Sequence, residues 1–319
     1  MTKLRCAILD DYQQVALSMA DWSSIASQVN VVSLSQHLNE AELIQAIQNC
    51  EIVVIMRERS PFTAKVFERL PKLKLLVTSG MRNASIDLIA ATKNGVIVCG
   101  TASAPEPPVE LTWALILGLA RHVVGENNAL RQNGPWQNSV GVGLSGKQLG
   151  ILGLGKIGNK VAKIAKAFGM NVVAWSQNLT QEHAQEAGVI LADSKEELLE
   201  YSDFVSIHLV LSERTKNILG ETELKLMKPS AYLINTSRAQ IVDQSALLKA
   251  LQEKWIAGAG LDVFDIEPLP KDHPYRVLDN VLAMPHLGYV TAENYQLYFS
   301  EGLEDIKAYL AGSAIRRLN

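Results

Sequence analysis

Cysteine is scarce in this chain of 319 residues. The three present, Cys6, Cys50 and Cys99, are far apart, odd in number and without nearby histidines. This argues against a disulfide framework or a thiolate zinc site and predicts reduced, buried thiols of an intracellular protein with no metal centre. Neither sign of charge dominates: 30 lysines and arginines face 33 aspartates and glutamates, for a formal net charge of -3. Without a basic excess, nucleic-acid binding has no electrostatic support. Long apolar runs are also missing. The most apolar stretch, Leu111 to Ala120, falls well short of the roughly 20 residues that cross a bilayer, so no membrane partner is expected. The opening residues read as a short strand ending in Asp10 and lack the apolar core and cleavage site of a signal peptide, which predicts a cytoplasmic location. There is no repeat of fixed period and no low-complexity tract.

What is present is a rhythm of short apolar runs alternating with helical patterns, the signature of parallel sheets covered by helices. In the first third, strands are expected near Leu4–Leu9, Asn30–Leu34, Ile52–Met56, Leu73–Thr78 and Val96–Cys99. A helix over Asn39–Gln48 would be capped by Asn39, and another would start at Thr63 and end by Pro71. The proline-rich segment around Pro105, Pro107 and Pro108 opens an apolar helix, where the first turn tolerates proline because it needs no amide donors. A helix this apolar all round should be buried, for example between domains or subunits. Further strands are expected at Asn171–Trp175, Phe204–Ile207, Ala231–Asn235, Ile256–Leu261 and Val281–Ala283, with a last helix from Ala292 to Leu310. The length favours two domains.

Between the halves, Leu149-Gly150-Ile151-Leu152 leads into Gly153-Leu154-Gly155-Lys156-Ile157-Gly158, and Ile157, Val161, Ile164 and Ala165 then recur at helical spacing. A glycine fingerprint alone is weak evidence, but here strand and helix flank it as dinucleotide binding requires. Gly153 would allow the tight turn, Gly155 the approach of a pyrophosphate and Gly158 close helix–strand packing. The sequence departs from the pattern about 20 residues on, where an acid should meet the adenosine ribose. Ser176 stands there, and no acid follows until Glu182. NAD is expected, and NADP stays open.

Four motifs in order resemble those of the D-isomer-specific 2-hydroxyacid dehydrogenases. The first is Gly146 to Gly158, the nucleotide signature. Leu233-Ile234-Asn235-Thr236-Ser237-Arg238-Ala239-Gln240-Ile241-Val242-Asp243 resembles the arginine signature, Leu261-Asp262-Val263-Phe264-Asp265-Ile266-Glu267-Pro268 the glutamate signature, and Pro285-His286-Leu287-Gly288 the histidine signature. The resemblance implies an α/β protein of two doubly wound parallel-sheet domains separated by a cleft. Residues 1–101 and 290–319 would form a flavodoxin-like substrate domain, and 102–289 a Rossmann cofactor domain. It further implies reversible reduction of a small 2-oxo acid to a D-2-hydroxy acid by a homodimer, without the regulatory domain of some serine-pathway relatives.

Carried over by position, Arg238 would bind the substrate carboxylate, where its fixed fork of donors matches a planar anion. His286 would move the proton, and Glu267 would orient His286. Both Arg238 and His286 thus touch substrate, together with the turn at Ser79 and Gly80. Cofactor contacts are implied for Gly153, Gly155, Lys156, Ile157, Gly158, Ser176, His208, Thr215, Ser237, Asp262 and Gly288. Arg82 and Arg57 are open candidates for a second cation, while His37, His122, His183 and His273 read as structural or solvent-facing. Glyoxylate, hydroxypyruvate or a phosphoglycerate-type acid would suit such a site. Competing readings are an NAD-sensing, corepressor-like binding protein without turnover, and a relative that oxidises formate or phosphite.

Overall fold

The computed structural model describes residues 2–319, which divide into two compact units, one ending at Ala104 and resuming at Val290, the other running from Pro105 to Tyr289. The first unit is a parallel sheet of β1 (Leu4–Ile8), β2 (Val29–Ser33), β3 (Ile52–Ile55), β4 (Leu75–Thr78) and β5 (Ile97–Gly100) in the order β2-β1-β3-β4-β5. β3 and β4 are buried along their whole length, which explains why they read as unbroken apolar runs rather than alternating patterns. Around them lie α1 (Glu40–Ile47), α2 (Ala64–Glu68) and α3 (Leu88–Lys93). Asn39 caps α1 in a full capping box with Glu42. Thr63 holds the N-cap position of α2, yet its side chain makes no capping bond, and the helix stops at Arg69, ahead of Pro71.

The helix Ala292–Leu310 belongs to this first unit and binds the chain just before it leaves. Its Glu301 accepts the Ala102 amide (2.6 Å), its Tyr298 hydroxyl meets Ser103 Oγ (2.8 Å), and its Asn294 accepts the Ala104 amide (3.1 Å). Positions 294, 298 and 301 share one helix face, so a single stripe secures residues 102–104, and the unit extends past Thr101 for that reason. Beyond the helix, the last residues return to β5: Leu318 N donates to Val98 O and Gly100 N to Arg316 O. Arg316 is in turn bonded to the buried Asp305 (3.0 Å), whose carboxyl is pushed up to about 7, chiefly by burial.

The second unit starts with α4 (Glu106–Ala120) and α5 (Val123–Arg131). Its seven strands are β6 (Gln148–Leu152), β7 (Asn171–Trp175), β8 (Ile190–Leu191), β9 (Phe204–Ile207), β10 (Tyr232–Asn235), β11 (Gly258–Leu261) and β12 (Val281–Ala283). They run parallel in the order β12-β11-β10-β9-β6-β7-β8. The two-residue β8 is too short to stand out as an apolar run. The remaining helices are α6 (Lys156–Ala167), α7 (Gln181–Ala187), α8 (Lys195–Tyr201), α9 (Glu221–Leu226) and α10 (Gln244–Gln252).

The apolar α4 is buried within its own unit, packed on α6, β10, β11 and β12 through Val109, Trp113, Leu115, Ile116 and Leu119. Full burial of each such side chain contributes about 1.5–3 kcal/mol. In α6 the inward stripe is Gly158, Val161, Ala162 and Ala165, whereas Ile164 turns outward. By contrast α5 buries no residue at all. The three cysteines are free and buried, and burial pushes the Cys99 thiol up to about 11.

Candidate active site

In a parallel sheet whose strand order reverses, ligands bind beyond the carboxyl ends of the strands at the point of reversal. In the second unit the reversal lies between β6 and β9. The glycine turn leaves β6 there. Gly153 has φ +100°, and a Cβ on it would stand 2.8 Å from the His208 carbonyl, so only glycine lets the turn lie against the loop that follows β9. A Cβ on Gly158 would collide with the Gly153 carbonyl oxygen, which explains the close seating of α6 on the turn. Above Gly155 nothing lies within 4 Å of such a Cβ, and this residue caps α6 without any side-chain hydrogen bond. The first amides of α6, at Lys156, Ile157 and Gly158, therefore face an open space with the positive end of the helix dipole behind them. That cradle fits a pyrophosphate.

Ser176 follows β7 directly, half-buried, with its carbonyl accepting the Leu179 amide. Three further expected cofactor contacts hold the loop after β9 together. His208 Nε2 lies 2.8 Å from Ser206 Oγ, and burial pushes the imidazole down to about 4, so it is neutral at pH 7. Thr215 Oγ1 donates to the Val210 carbonyl (2.7 Å) and accepts the Ser212 amide (2.8 Å). Ser237 Oγ donates to the Leu209 carbonyl (2.5 Å). Both hydroxyl protons are thus engaged in shaping the wall of the crevice, which the sequence pattern could not reveal.

Arg238, Glu267 and His286 come after β10, β11 and β12, three adjacent parallel strands, and so share the carboxyl edge of the sheet with the glycine turn. His286 Nδ1 is 2.6 Å from Glu267 Oε2, while Glu267 Oε1 accepts the Phe264 amide at 2.9 Å. One carboxylate oxygen is thereby fixed by the main chain and the other fixes the imidazole. The pair is not sealed off, with side-chain exposures of 16% and 28%. His286 has a left-handed backbone, φ +54°, which is uncommon outside glycine. Asp262 stabilises this turn: its two carboxylate oxygens accept the Leu287 amide (2.7 Å) and the Gly288 amide (2.8 Å). Burial pushes the Asp262 carboxyl up to about 6, although the nearby His286 and the two amides pull it down. Gly288 is tightly placed, since a Cβ there would come within 2.9 Å of Asp262.

Arg238 is half-buried, with extended backbone and Nη1 donating to the Ser237 carbonyl (2.7 Å). Behind it stands Asn235, the last residue of β10 and 1% exposed. Asn235 Oδ1 accepts the Ser237 amide and Nδ2 donates to the Arg238 carbonyl, both at 3.0 Å. Sequence reasoning passed over this residue. Its signal is a polar end to an otherwise apolar strand two residues before a serine, the pattern of a side chain that folds the main chain back on itself.

In the first unit, the loop after β4 is rigidly built. The Ser79 amide donates to the Ile55 carbonyl (3.1 Å) and the Gly80 amide to Thr101 Oγ1 (3.0 Å), so both of these amides are engaged internally. Among the described residues, the next two amides, of Met81 and Arg82, have no hydrogen-bond partner. Asn83, also missed in the sequence, donates to the Arg57 carbonyl (2.6 Å) and to Thr78 Oγ1 (2.9 Å) and accepts from Ser85. The Arg57 guanidinium lies over Gly80 and within 3.5 Å of Glu58, whereas Arg82 is exposed. Outside both regions, His273 packs on Tyr275 with ring centroids 4.6 Å apart, a structural role as expected. Among the described residues no cluster of metal-ligating side chains occurs, and no helix is long and apolar enough to cross a membrane.

The chain is 37% identical over 295 residues to a D-3-phosphoglycerate dehydrogenase of Methanocaldococcus jannaschii, covering 92% of this chain and 56% of that enzyme. It is 43% identical over 239 residues to a glyoxylate reductase of Thermococcus litoralis, covering 72% of this chain and 71% of that enzyme. The crystal structure of a phosphoglycerate oxidoreductase from Vibrio cholerae superimposes with a TM-score of 0.92 at 35% identity, covering 97% of this chain and all of that one (100%). The model of the NAD-binding domain of D-isomer specific 2-hydroxyacid dehydrogenases matches residues 113–288, the stretch that holds the glycine turn, Arg238, Glu267 and His286. With that match over more than half its length, the chain belongs to the D-isomer-specific 2-hydroxyacid dehydrogenase family.

Proposed function

We propose that this protein interconverts a small 2-oxo acid and the corresponding D-2-hydroxy acid, with NAD as the redox partner. The observation that carries the reading is the 2.6 Å contact between His286 Nδ1 and Glu267 on the sheet edge that also holds the open glycine turn. Because Nδ1–H donates to Glu267, Nε2 is the imidazole nitrogen available to substrate. In the reducing direction His286 gives the Nε2 proton to the carbonyl oxygen, while Glu267 holds the ring in place through Nδ1. In the oxidising direction the neutral ring takes the hydroxyl proton. NAD, when bound, supplies or accepts the hydride at the carbon beside the carboxylate. Arg238 grips that carboxylate through two parallel N–H donors and draws electron density from the adjacent carbonyl.

The amides of Lys156, Ile157 and Gly158 hold the pyrophosphate, and the neutral His208 and the loop tied by Thr215 and Ser237 wall the nicotinamide side. Asp262 supports the reacting histidine through residues 287 and 288 and is assigned the carboxamide side of the cofactor. The relatives' names span glyoxylate and 3-phosphoglycerate, so the decisive experiment is a panel. Purified protein is mixed with NADH or NADPH and with glyoxylate, hydroxypyruvate, 3-phosphohydroxypyruvate and pyruvate, and the reduced cofactor is followed by absorbance. Turnover with at least one acid is expected. Tight cofactor binding without turnover on any of them would overturn the proposal.

The protein is further read as a homodimer built on the second unit. In α5 and the loop after it Leu130, Trp136 and Val140 are 61%, 79% and 93% exposed. An indole and two aliphatic side chains left in water on one short segment are what a second copy of the same chain would cover. Sedimentation at micromolar concentration should give the mass of two chains. A single-chain mass for the active species would remove this part of the reading.

A further inference from the structure

We infer that Asn235 is a positioning residue for Arg238: from the end of β10 its side chain clamps the main chain on both sides of Ser237 and so sets the direction in which the guanidinium departs. The inference rests on the proposed function, since it concerns how the carboxylate anchor is aimed.

The main chain of Asn235 is held by its neighbours, β9 on one side and β11 on the other, and its carbonyl accepts the Asp262 amide at 3.0 Å. Residues 236–238 leave the sheet and lose that support. Asn235 replaces it with Oδ1 on the Ser237 amide and Nδ2 on the Arg238 carbonyl. The Arg238 carbonyl also accepts the Ile241 amide at 3.3 Å, so two donors pin the peptide plane that follows the arginine Cα. Thr236 Oγ1, 2.8 Å from the buried Thr112 Oγ1 on α4, steadies the same turn from the other side. Catalytic geometry tolerates displacements of about 0.5 Å, and an error of about 1 Å can cost roughly a hundredfold. An arginine on an unbraced turn would not meet that demand.

A neighbouring strand end repeats the device. Asp262, one residue past β11, braces the turn of His286 through Leu287 and Gly288, and its amide is bonded to the Asn235 carbonyl. The two braces are thus linked through one main-chain hydrogen bond.

Asn235→Asp keeps the acceptor for the Ser237 amide but, when ionised, sets a carboxylate oxygen against the Arg238 carbonyl. When protonated it regains a donor to that carbonyl, and burial raises the pH at which this happens. At alkaline pH the variant should show a KM for the 2-oxo acid about tenfold above wild type, and the ratio should fall towards one as the pH drops. Asn235→Ser should show a raised KM whose ratio to wild type does not vary with pH. Cofactor dissociation constants should stay within about twofold. In an Arg238→Gln background Asn235→Asp should add less than about twofold, because the group it aims is gone.

Wild-type KM in both folded variants, or effects that persist in full in the Arg238→Gln background, would overturn the inference while leaving the proposed function intact. If Asn235→Asp does not fold, Asn235→Ser decides on the same two criteria, and failure of both to fold would make the residue purely structural and end the inference. Absence of turnover by the wild-type enzyme would instead sink the proposed function itself, and this inference with it.

Discussion

Replacing His286 with alanine is expected to lower kcat about a thousandfold while leaving the dissociation constant for NADH within about twofold of wild type. The reason lies in one nitrogen. Nδ1 is bonded to Glu267 at 2.6 Å, so Nε2 alone can deliver a proton to the substrate oxygen. Alanine leaves water as the only acid, and water has neither the pKa nor the fixed position for the task. The helix amides that would hold the cofactor, at Lys156 to Gly158, lie on α6 and do not depend on the imidazole. Pre-steady-state reduction of the acid, together with cofactor titration, separates the two effects. A variant with near-normal turnover would show that the proton comes from elsewhere.

Arg238→Ala is expected to reduce kcat/KM by about a hundredfold or more and to raise KM for the 2-oxo acid. Charge-assisted hydrogen bonds are worth roughly 1.5–3 kcal/mol each, and the arginine offers two. Part of that energy acts only as charge builds on the carbonyl oxygen, so kcat should fall as well. Arg238→Lys keeps the charge but not the fork, and should recover only part of the loss. Steady-state kinetics over a wide range of substrate concentration distinguishes these outcomes. If KM and kcat in the alanine variant both stayed within about threefold of wild type, the carboxylate would have to be anchored by other groups.

Much of this architecture was legible in the amino-acid order. The strands β3, β4, β9 and β10 are buried on both faces, and such strands announce themselves as short uninterrupted apolar runs. The glycine fingerprint was legible because each glycine answers a local demand: a left-handed turn at Gly153, an open approach at Gly155 and tight helix seating at Gly158. Arg238, Glu267 and His286 stood out because each follows such a run and sits within a motif. The edges of the pattern were less legible. Two-residue β8 is below the length at which periodicity exists, and Ile164 satisfies helical spacing yet points outward because the inward stripe is completed by Ala162 and Ala165. Thr63 has the right chemistry for a cap but forms no capping bond.

By itself, then, the order of residues indicated all the strands but the shortest, the glycine turn proposed to receive a dinucleotide and the three side chains proposed to react. All of these depend on neighbours a few positions apart. Only the tertiary structure decided how individual polar atoms are used. The Ser79 and Gly80 amides are engaged by Ile55 and Thr101, the Thr215 and Ser237 hydroxyls by loop carbonyls, and Asn235 and Asp262 brace the turns at Arg238 and at His286. A hydrogen bond is satisfied by whichever donor or acceptor lies about 3 Å away in space, and for these groups the partner's separation along the chain runs from 2 residues, Asn235 to Ser237, to 28 residues, Ser237 to Leu209.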